Sequence, residues 1–211
     1  MRAIIVAGGT VKNPEIIKGF ANENSIIIAC DKGLNYIHKA GLMPDVILGD
    51  FDSVDKNILD YYKNKAKDVF AYPVKKDNTD TELGIFAAED KGADDIVLIG
   101  ASGTRLDHII ANIQILLPLL KKGIRARLVD ENNIVELVSH RLVIENKKGS
   151  YISLLPFTET VEGLTTQGLE YALDNKDITV GTSLTVSNVV IADRAEVTLK
   201  KGVIISIIAK D

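Results

Sequence analysis

Short continuous apolar runs alternate with segments of helical spacing through the first part of the chain. The apolar runs predict six strands, at residues 3–7, 25–30, 46–48, 69–72, 96–99 and 126–129. Helical spacing predicts helices between them, at residues 14–21, 34–40, 58–66, 80–91 and 109–121. Pro118 is expected to kink the last of these helices or to mark a turn near its end. The alternation predicts a mostly parallel sheet covered by helices on both faces.

The pattern changes near Val135. From there onward, short β-rich runs at residues 143–144, 151–155, 189–192, 196–199 and 203–208 are separated by Gly, Asn, Asp and Lys, without a convincing helical pattern. Such spacing is typical of an antiparallel sandwich or barrel. We therefore predict two domains: an α/β N-terminal domain with a mostly parallel sheet over residues 1–135, and an all-β C-terminal sandwich domain over residues 145–211.

Composition narrows the class of protein. The chain has 211 residues, of which 46% are hydrophobic, and a net charge of -4 without a long basic run. This balance argues against binding to nucleic acid or to a membrane surface. Cys30 is the single cysteine, so an intramolecular disulfide is excluded. The N-terminal apolar run is too short for a signal peptide, and no run is long enough to span a bilayer. These features predict a cytoplasmic protein.

The sequence GDFDS at residues 49–53 places two acidic residues directly after the third predicted strand. In an extended segment Asp50 and Asp52 point to the same side and repel each other unless a cation lies between them. Mg²⁺ is a hard cation that prefers such oxygen ligands. The alternative interpretation is an ordinary strand-to-helix turn, in which Asp and Gly are common.

Polar residues also follow other predicted strands. Gly8-Gly9 follows the first, Asp31 the second, KDNTD (76–80) the fourth and GASGTRLDH (100–108) the fifth. Ligands of open α/β sheets bind beyond the carboxyl ends of the strands, so these residues are expected to share one site. The glycine pair is suited to cradling a phosphate or to turning the chain.

Two of these loops allow a structural interpretation as well. Thr79 and Glu82 have the spacing of a capping box, and Asp80 in a first helical turn is favourable on charge alone. Arg105 is suited to holding a phosphate through two parallel N–H bonds, or to an ordinary contact with Asp107. GxxxxGK[ST], GxGxxG and HExxH are absent, so this is neither a P-loop protein, a standard dinucleotide binder nor a typical zinc enzyme.

Six motifs together resemble the thiamine pyrophosphokinase family in their order and spacing. They are CDKG (30–33), PDVILGDFDS (44–53), KDNTD (76–80), GTRLDH (103–108), TTQGLEYAL (165–173) and GTSLTVSN (181–188). The resemblance implies transfer of a diphosphate group from ATP to the hydroxyl of thiamine, which gives thiamine diphosphate and AMP. It also implies an α/β catalytic domain that binds Mg–ATP, a β-sandwich domain that binds thiamine and forms the dimer interface, a homodimer, and a requirement for Mg²⁺.

The resemblance also implies roles for individual residues. An acidic Mg–ATP site would be formed by Asp31, Asp50, Asp52, Asp77 and Asp80, completed by Arg105, Asp107 and a hydroxyl contact or helix cap from Thr79. Within it, the metal ligands would be Asp50, Asp52 and Asp77, and the catalytic residues Asp52, Asp77, Arg105 and Asp107. Ser187 and Asn188 match a pair near thiamine, and Tyr171 stands where some members have a tryptophan that stacks on the vitamin.

Two other functions remain open at this point. One is a Mg-dependent transferase that uses sugar nucleotides, because paired aspartates hold a metal there too. The other is a non-catalytic sensor that binds thiamine or a nucleotide. A sensor would leave the converging aspartates without an explanation, since their repulsion is destabilising in the absence of a cation.

Overall fold

The computed structural model describes residues 1–71 and 77–210, which divide into two compact units, Met1–Glu131 and Asn132–Asp211. Each unit has its own arrangement of secondary structure. In the part of the chain that is described, no helix is both long enough and apolar enough to cross a membrane.

The first unit is built on six parallel strands. They are β1 (Arg2–Val6), β2 (Ile26–Cys30), β3 (Val46–Gly49), β4 (Asp68–Ala71), β5 (Asp95–Ile99) and β6 (Arg125–Val129), in the spatial order β6-β5-β1-β2-β3-β4. Ile4 and Ile5 of the central strand are both fully buried, as expected for a strand covered on both faces. The six predicted strands are confirmed, except that Tyr72 lies outside the described residues.

Six helices follow these strands. They are α1 (Ile16–Phe20), α2 (Gly33–Lys39), α3 (Lys56–Lys63), α4 (Asp80–Asp90), α5 (Leu106–Gln114) and α6 (Leu116–Lys121). The prediction of one helix over residues 109–121 is wrong, because the structure has two helices there. Pro118 has no N–H for the carbonyl of Gln114, so α5 ends at Gln114 and Pro118 lies in the first turn of α6, where proline is tolerated.

The second unit consists of eight strands. They are β7 (Asn133–Val138), β8 (Arg141–Glu145), β9 (Tyr151–Pro156), β10 (Thr160–Gln167), β11 (Lys176–Thr179), β12 (Asn188–Val189), β13 (Arg194–Thr198) and β14 (Ile204–Ala209). The pairs are antiparallel and form two layers, β12-β9-β14-β7 and β11-β10-β13-β8. Buried residues of both layers, such as Ile152 and Val197, belong to one hydrophobic core. The predicted fold class, an α/β unit and an all-β sandwich, is confirmed.

The order of strands in the first unit reverses between β1 and β5. After β1 the chain continues to β2 on one side, and after β5 it continues to β6 on the other side. The loops that leave these two neighbouring strands therefore diverge and open a crevice at the carboxyl edge of the sheet. Crevices of this kind are where open α/β sheets bind ligands.

Candidate active site

A cavity of about 650 Å³ lies at this crevice of the first unit. It is lined by residues of the loops after β1, β2 and β5 and of the start of α4, among them Gly9, Asp31, Lys32, Asp80, Gly100 and Arg105. Its volume is within the range of typical small-molecule sites. Four of the predicted site residues line it: Asp31, Thr79, Asp80 and Arg105.

Glycine residues let the loops after β1 and β5 pack closely. The N–H of Gly9 donates to the carbonyl of Gly100 at 2.9 Å, and a Cβ on Gly9 would lie 2.3 Å from that oxygen. Gly100 has a φ of 71°, and a Cβ there would lie 2.6 Å from the carbonyl oxygen of Ala7. Neither position has room for a side chain, so part of the cavity wall is bare backbone.

Two carboxyl groups face each other in the cavity. Asp31, directly after β2, forms a side-chain hydrogen bond with Asp80, the first residue of α4. Burial, this hydrogen bond and the charges of Asp80 and Asp50 raise the pKa of Asp31 from 3.8 to about 7, although the N–H of Phe51 donates to it at 3.3 Å. Burial and the neighbouring carboxyl groups therefore favour the protonated form of Asp31.

The loop after β3 is shaped around Asp31. Gly49 has a φ of 141°, and a Cβ there would lie 1.7 Å from Oδ1 of Asp31. Asp31 and Phe51 have φ values of 45° and 64°, which non-glycine residues rarely adopt. Strained backbone of this kind concentrates at functional sites. Gly49 therefore makes room for the Asp31 carboxylate in addition to turning the chain.

The other predicted acidic residues, Asp50, Asp52 and Asp77, are not among the residues that line this cavity. Asp50 is half-buried, acts electrostatically on Asp31, and accepts the N–H of Asp52 at 3.1 Å. The side chains of Asp52 and Asp77 are exposed, and Asp77 begins the second described range. Lys76, which belongs to the same predicted motif, lies outside the described residues. Within residues 1–71 and 77–210, no three His, Cys, Asp or Glu side chains form a ready-made metal site.

Arg105 and Asp107 form an ion pair at the N-terminus of α5. Nη2 and Nε of Arg105 donate to the two carboxylate oxygens of Asp107 at 2.6 and 3.2 Å. The hydrogen bond from Arg105 lowers the pKa of Asp107 to about 2. Both side chains are more than half exposed. Because exposed ion pairs contribute little stability, Arg105 is free to exchange this carboxylate for a phosphate.

The predicted capping box at the start of α4 is confirmed. Oγ1 of Thr79 accepts the N–H of Glu82 at 3.2 Å, and the carboxylate of Glu82 accepts the N–H of Thr79 at 2.8 Å. This reciprocal pair fixes where the helix begins. It therefore fixes the position of Asp80 opposite Asp31.

Lys32 and Asn112 are among the cavity residues to which the sequence analysis gave no role. Lys32 lines the cavity and supplies a positive charge beside Asp31, a role that its place in the CDKG motif could have suggested. Asn112 also lines it, and its Nδ2 donates to the carbonyl of Ala101 at 2.7 Å, which holds the loop after β5. Asn112 lies in the middle of an apolar helical pattern, where no sequence signal marks it.

The predicted thiamine residues of the second unit lie together. Nδ2 of Asn188 donates to the backbone carbonyl of Tyr171 at 2.7 Å, and Ser187 precedes Asn188. Tyr171 is 65% exposed and Ser187 is exposed, whereas Asn188 is buried. Ser187 has a φ of 56°, and its N–H donates to Oγ of Ser153 at 3.0 Å. The side chains of Tyr171 and Ser187 are therefore exposed to solvent, and that of Asn188 is buried next to them.

Family models match both units of the chain. A model described as the catalytic domain of thiamin pyrophosphokinase matches residues 17–128, and one described as its vitamin B1 binding domain matches residues 139–204. Thiamine pyrophosphokinase of Bacillus subtilis (strain 168) is 34% identical over 209 residues, which cover 98% of each chain. Thiamine pyrophosphokinase 1 of Oryza sativa subsp. japonica is 29% identical over 74% of this chain and 62% of the rice protein.

Solved structures agree with these matches. The crystal structure of the Bacillus subtilis thiamine pyrophosphokinase has a TM-score of 0.90 and 32% identity, with both chains covered completely. That of the Geobacillus thermodenitrificans enzyme has a TM-score of 0.86 and 28% identity, covering 100% of this chain and 98% of the other. The sugar-nucleotide transferase and sensor alternatives find no support in these comparisons. The chain therefore belongs to the thiamine pyrophosphokinase family, whose members make thiamine diphosphate from thiamine and ATP.

Proposed function

We propose that this chain transfers the diphosphate group of ATP to the hydroxyl of thiamine in the first unit's cavity, releasing AMP. The observation that carries the proposal is the cavity at the reversal of strand order, where the Asp31–Asp80 pair lies beside bare backbone and the cations Lys32 and Arg105. Acidic oxygens suit a divalent cation, and cations with free N–H groups suit phosphates. Together they match the chemistry of Mg–ATP.

Mg²⁺ fits the donor set of the acidic cluster. Carboxylate oxygens are the ligands that this ion prefers, and burial together with the charges of Asp80 and Asp50 raises the pKa of Asp31. We assign the metal to Asp50, Asp52 and Asp77, which form no ready-made metal group within the described residues, so the ion and the phosphates would draw them together. When bound, the ion supplies neutralisation of the charge that develops on the phosphate oxygens.

The protein's own residues position the phosphates and the nucleophile. Arg105 exchanges Asp107 for phosphate oxygens, and Lys32 adds a second positive charge to the cavity. The proton of the thiamine hydroxyl passes to one of two aspartates, either Asp107 once it is released from Arg105, or Asp77. Catalysis then rests on placing the hydroxyl in line with the β-phosphorus, as in other phosphoryl transfers.

Thiamine binding is assigned to the second unit. The exposed ring of Tyr171 offers a stacking face for the vitamin, and the exposed hydroxyl of Ser187 offers a hydrogen bond. The match of a vitamin B1 binding domain to residues 139–204 supports this assignment.

A homodimer in the cytoplasm completes the proposal. Helix α5 is rich in apolar residues but has no buried residue. Leu106 and Ile110 on it are 73% and 55% exposed. Exposed apolar residues on a helix are typical of a contact with another molecule, and a second copy that covers α5 would extend the dimer interface that the family resemblance assigns to the β-sandwich. Size-exclusion chromatography with light scattering tests this: the expected mass is twice 22.9 kDa, and a monomer at every concentration would contradict it.

Product analysis tests the reaction itself. The protein is incubated with ATP, Mg²⁺ and thiamine, and the products are separated by chromatography. We expect AMP and thiamine diphosphate in equal amounts. ADP with thiamine monophosphate would indicate a monophosphate kinase, and binding without any product would indicate a sensor; either result would refute the proposal.

A further inference from the structure

We propose that Asn188 is a positioning residue, which holds the backbone of Tyr171 so that its ring is ready to receive thiamine, and that it does not itself contact the substrate. This inference rests on the proposed function, because it concerns the same vitamin site. It divides the predicted trio of Tyr171, Ser187 and Asn188 into two residues that meet the ligand and one that acts through another.

The side chain of Asn188 is committed to backbone groups. Its Oδ1 accepts the N–H of Tyr171 at 3.0 Å and the N–H of Val189 at 2.9 Å, while its Nδ2 donates to the carbonyl of Tyr171 at 2.7 Å. An amide oxygen has two acceptor sites, and both are used here. Asn188 is also buried, with 7% exposure. It therefore satisfies both backbone polar groups of Tyr171, has no free acceptor, and keeps one remaining N–H of Nδ2 within a buried side chain.

Further hydrogen bonds fix the chain on both sides of Tyr171. The N–H of Glu170 donates to the carbonyl of Val189 at 2.9 Å. Two residues after Tyr171, the carbonyl of Leu173 accepts the backbone N–H of Thr166, and the N–H of Leu173 donates to Oγ1 of Thr166, both at 2.9 Å. Tyr171 thus stands on a segment tied down before, at and after it.

The ring of Tyr171 nevertheless faces solvent, with 65% of the residue exposed. In the free protein, the exposed ring contributes little hydrophobic stabilisation, although the backbone that carries it is held by hydrogen bonds. Such an arrangement lowers the entropy that a ligand must remove when it stacks on the ring. The hydrogen bonds of Asn188 are therefore expected to act on thiamine affinity and not on the chemical step.

A double-mutant cycle distinguishes positioning from direct contact. The hydrogen bonds of Asn188 go to the backbone of Tyr171, so Tyr171→Ala removes the ring and leaves them intact. We expect Asn188→Ala to raise the KM for thiamine about tenfold with kcat unchanged, and to raise it less than about twofold in the Tyr171→Ala background. Equal factors in both backgrounds, or an unchanged KM in the first, would overturn the proposal.

A matched control and a milder variant accompany the cycle. Thr165→Val removes the Oγ1 that accepts the N–H of Asn175, on the same segment but away from Tyr171, and is expected to leave the KM unchanged. Asn188→Ser keeps a smaller polar side chain at this position, so an intermediate KM is expected. If Asn188→Ala fails to fold, Asn188→Ser carries the cycle, and equal factors in both backgrounds would again overturn the proposal.

Fluorescence gives a readout that needs no turnover. The chain has no tryptophan, so Tyr171→Trp introduces a single reporter at the site. In the ligand-free protein, adding Asn188→Ala is expected to lower the anisotropy of this reporter, and unchanged anisotropy would contradict the positioning role. If the wild-type chain makes no thiamine diphosphate, the proposed function fails, whereas a failure of this inference leaves wild-type turnover intact.

Discussion

The two units prepare their candidate binding residues in opposite ways. In the first unit, Asp31 forms a side-chain hydrogen bond with Asp80, and burial raises the pKa of Asp31 to about 7. In the second, both backbone polar groups of Tyr171 are satisfied by Asn188 before any ligand arrives. The first site therefore holds opposed carboxyl groups that a bound cation would relieve, whereas the second holds its stacking residue in place beforehand. This difference indicates that a cation should act on the electrostatics of the first unit, and that thiamine should meet a backbone that is already fixed.

The largest expected effect comes from the proposed metal ligands. Asp52→Asn removes one carboxylate from the cluster, and we expect kcat to fall by about 100-fold or more, because metal stabilisation of the transferred group is worth several kcal/mol. Steady-state kinetics at saturating Mg²⁺ measures this. Asp60→Asn, an exposed change on α3, is the control. Turnover close to that of the control would remove Asp52 from the metal site.

The second effect is a loss of stability at Gly49, where the absence of a side chain leaves room for the carboxylate of Asp31. Gly49→Ala brings a Cβ within 1.7 Å of Oδ1 of Asp31 at a φ of 141°, so we expect the free energy of unfolding to fall by about 3 kcal/mol. Gly41→Ala is the matched control, since Gly41 also has a positive φ, of 66°, but no atom within 4 Å of an added Cβ. It should cost about 1 kcal/mol. Chemical denaturation compares the two, and equal losses would show that Asp31 is not what excludes a side chain at Gly49.

The third effect concerns the protonation of Asp31, and here we expect a substitution to raise the free energy of unfolding. Because folding raises its pKa from 3.8 to about 7, Asp31 stabilises the fold at low pH and loses this contribution as pH rises through about 7. Asp31→Asn stays neutral, so above that pH it should raise the free energy of unfolding of the metal-free protein by about 1–2 kcal/mol, a figure reduced for solvent screening.

Denaturation of the metal-free protein on both sides of pH 7 checks this sign. Asp107→Asn is the contrasting control, since Arg105 lowers the pKa of Asp107 and the substitution should not stabilise the protein at any pH. A loss of stability in Asp31→Asn at high pH would show that the carboxyl pair is not short of positive charge.

The smallest effect belongs to the second unit. Tyr171→Trp enlarges the stacking face on a backbone that is already fixed, so we expect the KM for thiamine to fall by about twofold with kcat unchanged. Thermal unfolding should be unaffected, because the ring is exposed. A KM that rises instead would show that the site is shaped around the narrower ring of tyrosine.

The α/β unit could be predicted almost completely because its strands are continuous apolar runs. Three strands of the sandwich were missed, two of them for identifiable reasons. In β10, Gly163 has a φ of 67° and the register with β11 shifts between Val161 and Leu164, so the alternation of polar and apolar residues is broken. In β11, Ile178 is the buried residue among four, which is too weak a pattern to recognise. The strand β7 was also missed, at the predicted join between the domains.

The candidate site could be predicted as a set of loops but not as a set of contacts. Parallel strands bring their carboxyl ends to one edge, which is why Asp31 and Asp80 could be expected there together. Their hydrogen bond depends on the positive φ values of Asp31 and Phe51, which no short pattern encodes. The bonds from Asn188 to Tyr171 likewise join residues far apart in sequence, and only the fold brings them together.

The fate of the β-phosphorus of ATP tests the central claim most directly. ATP that carries a radioactive label at this position is incubated with the protein, Mg²⁺ and thiamine. If the cavity transfers a diphosphate group, the label leaves the nucleotide and appears in thiamine diphosphate, while AMP stays unlabelled. Label that remains in ADP, or that appears as free diphosphate while thiamine is unchanged, would contradict the account.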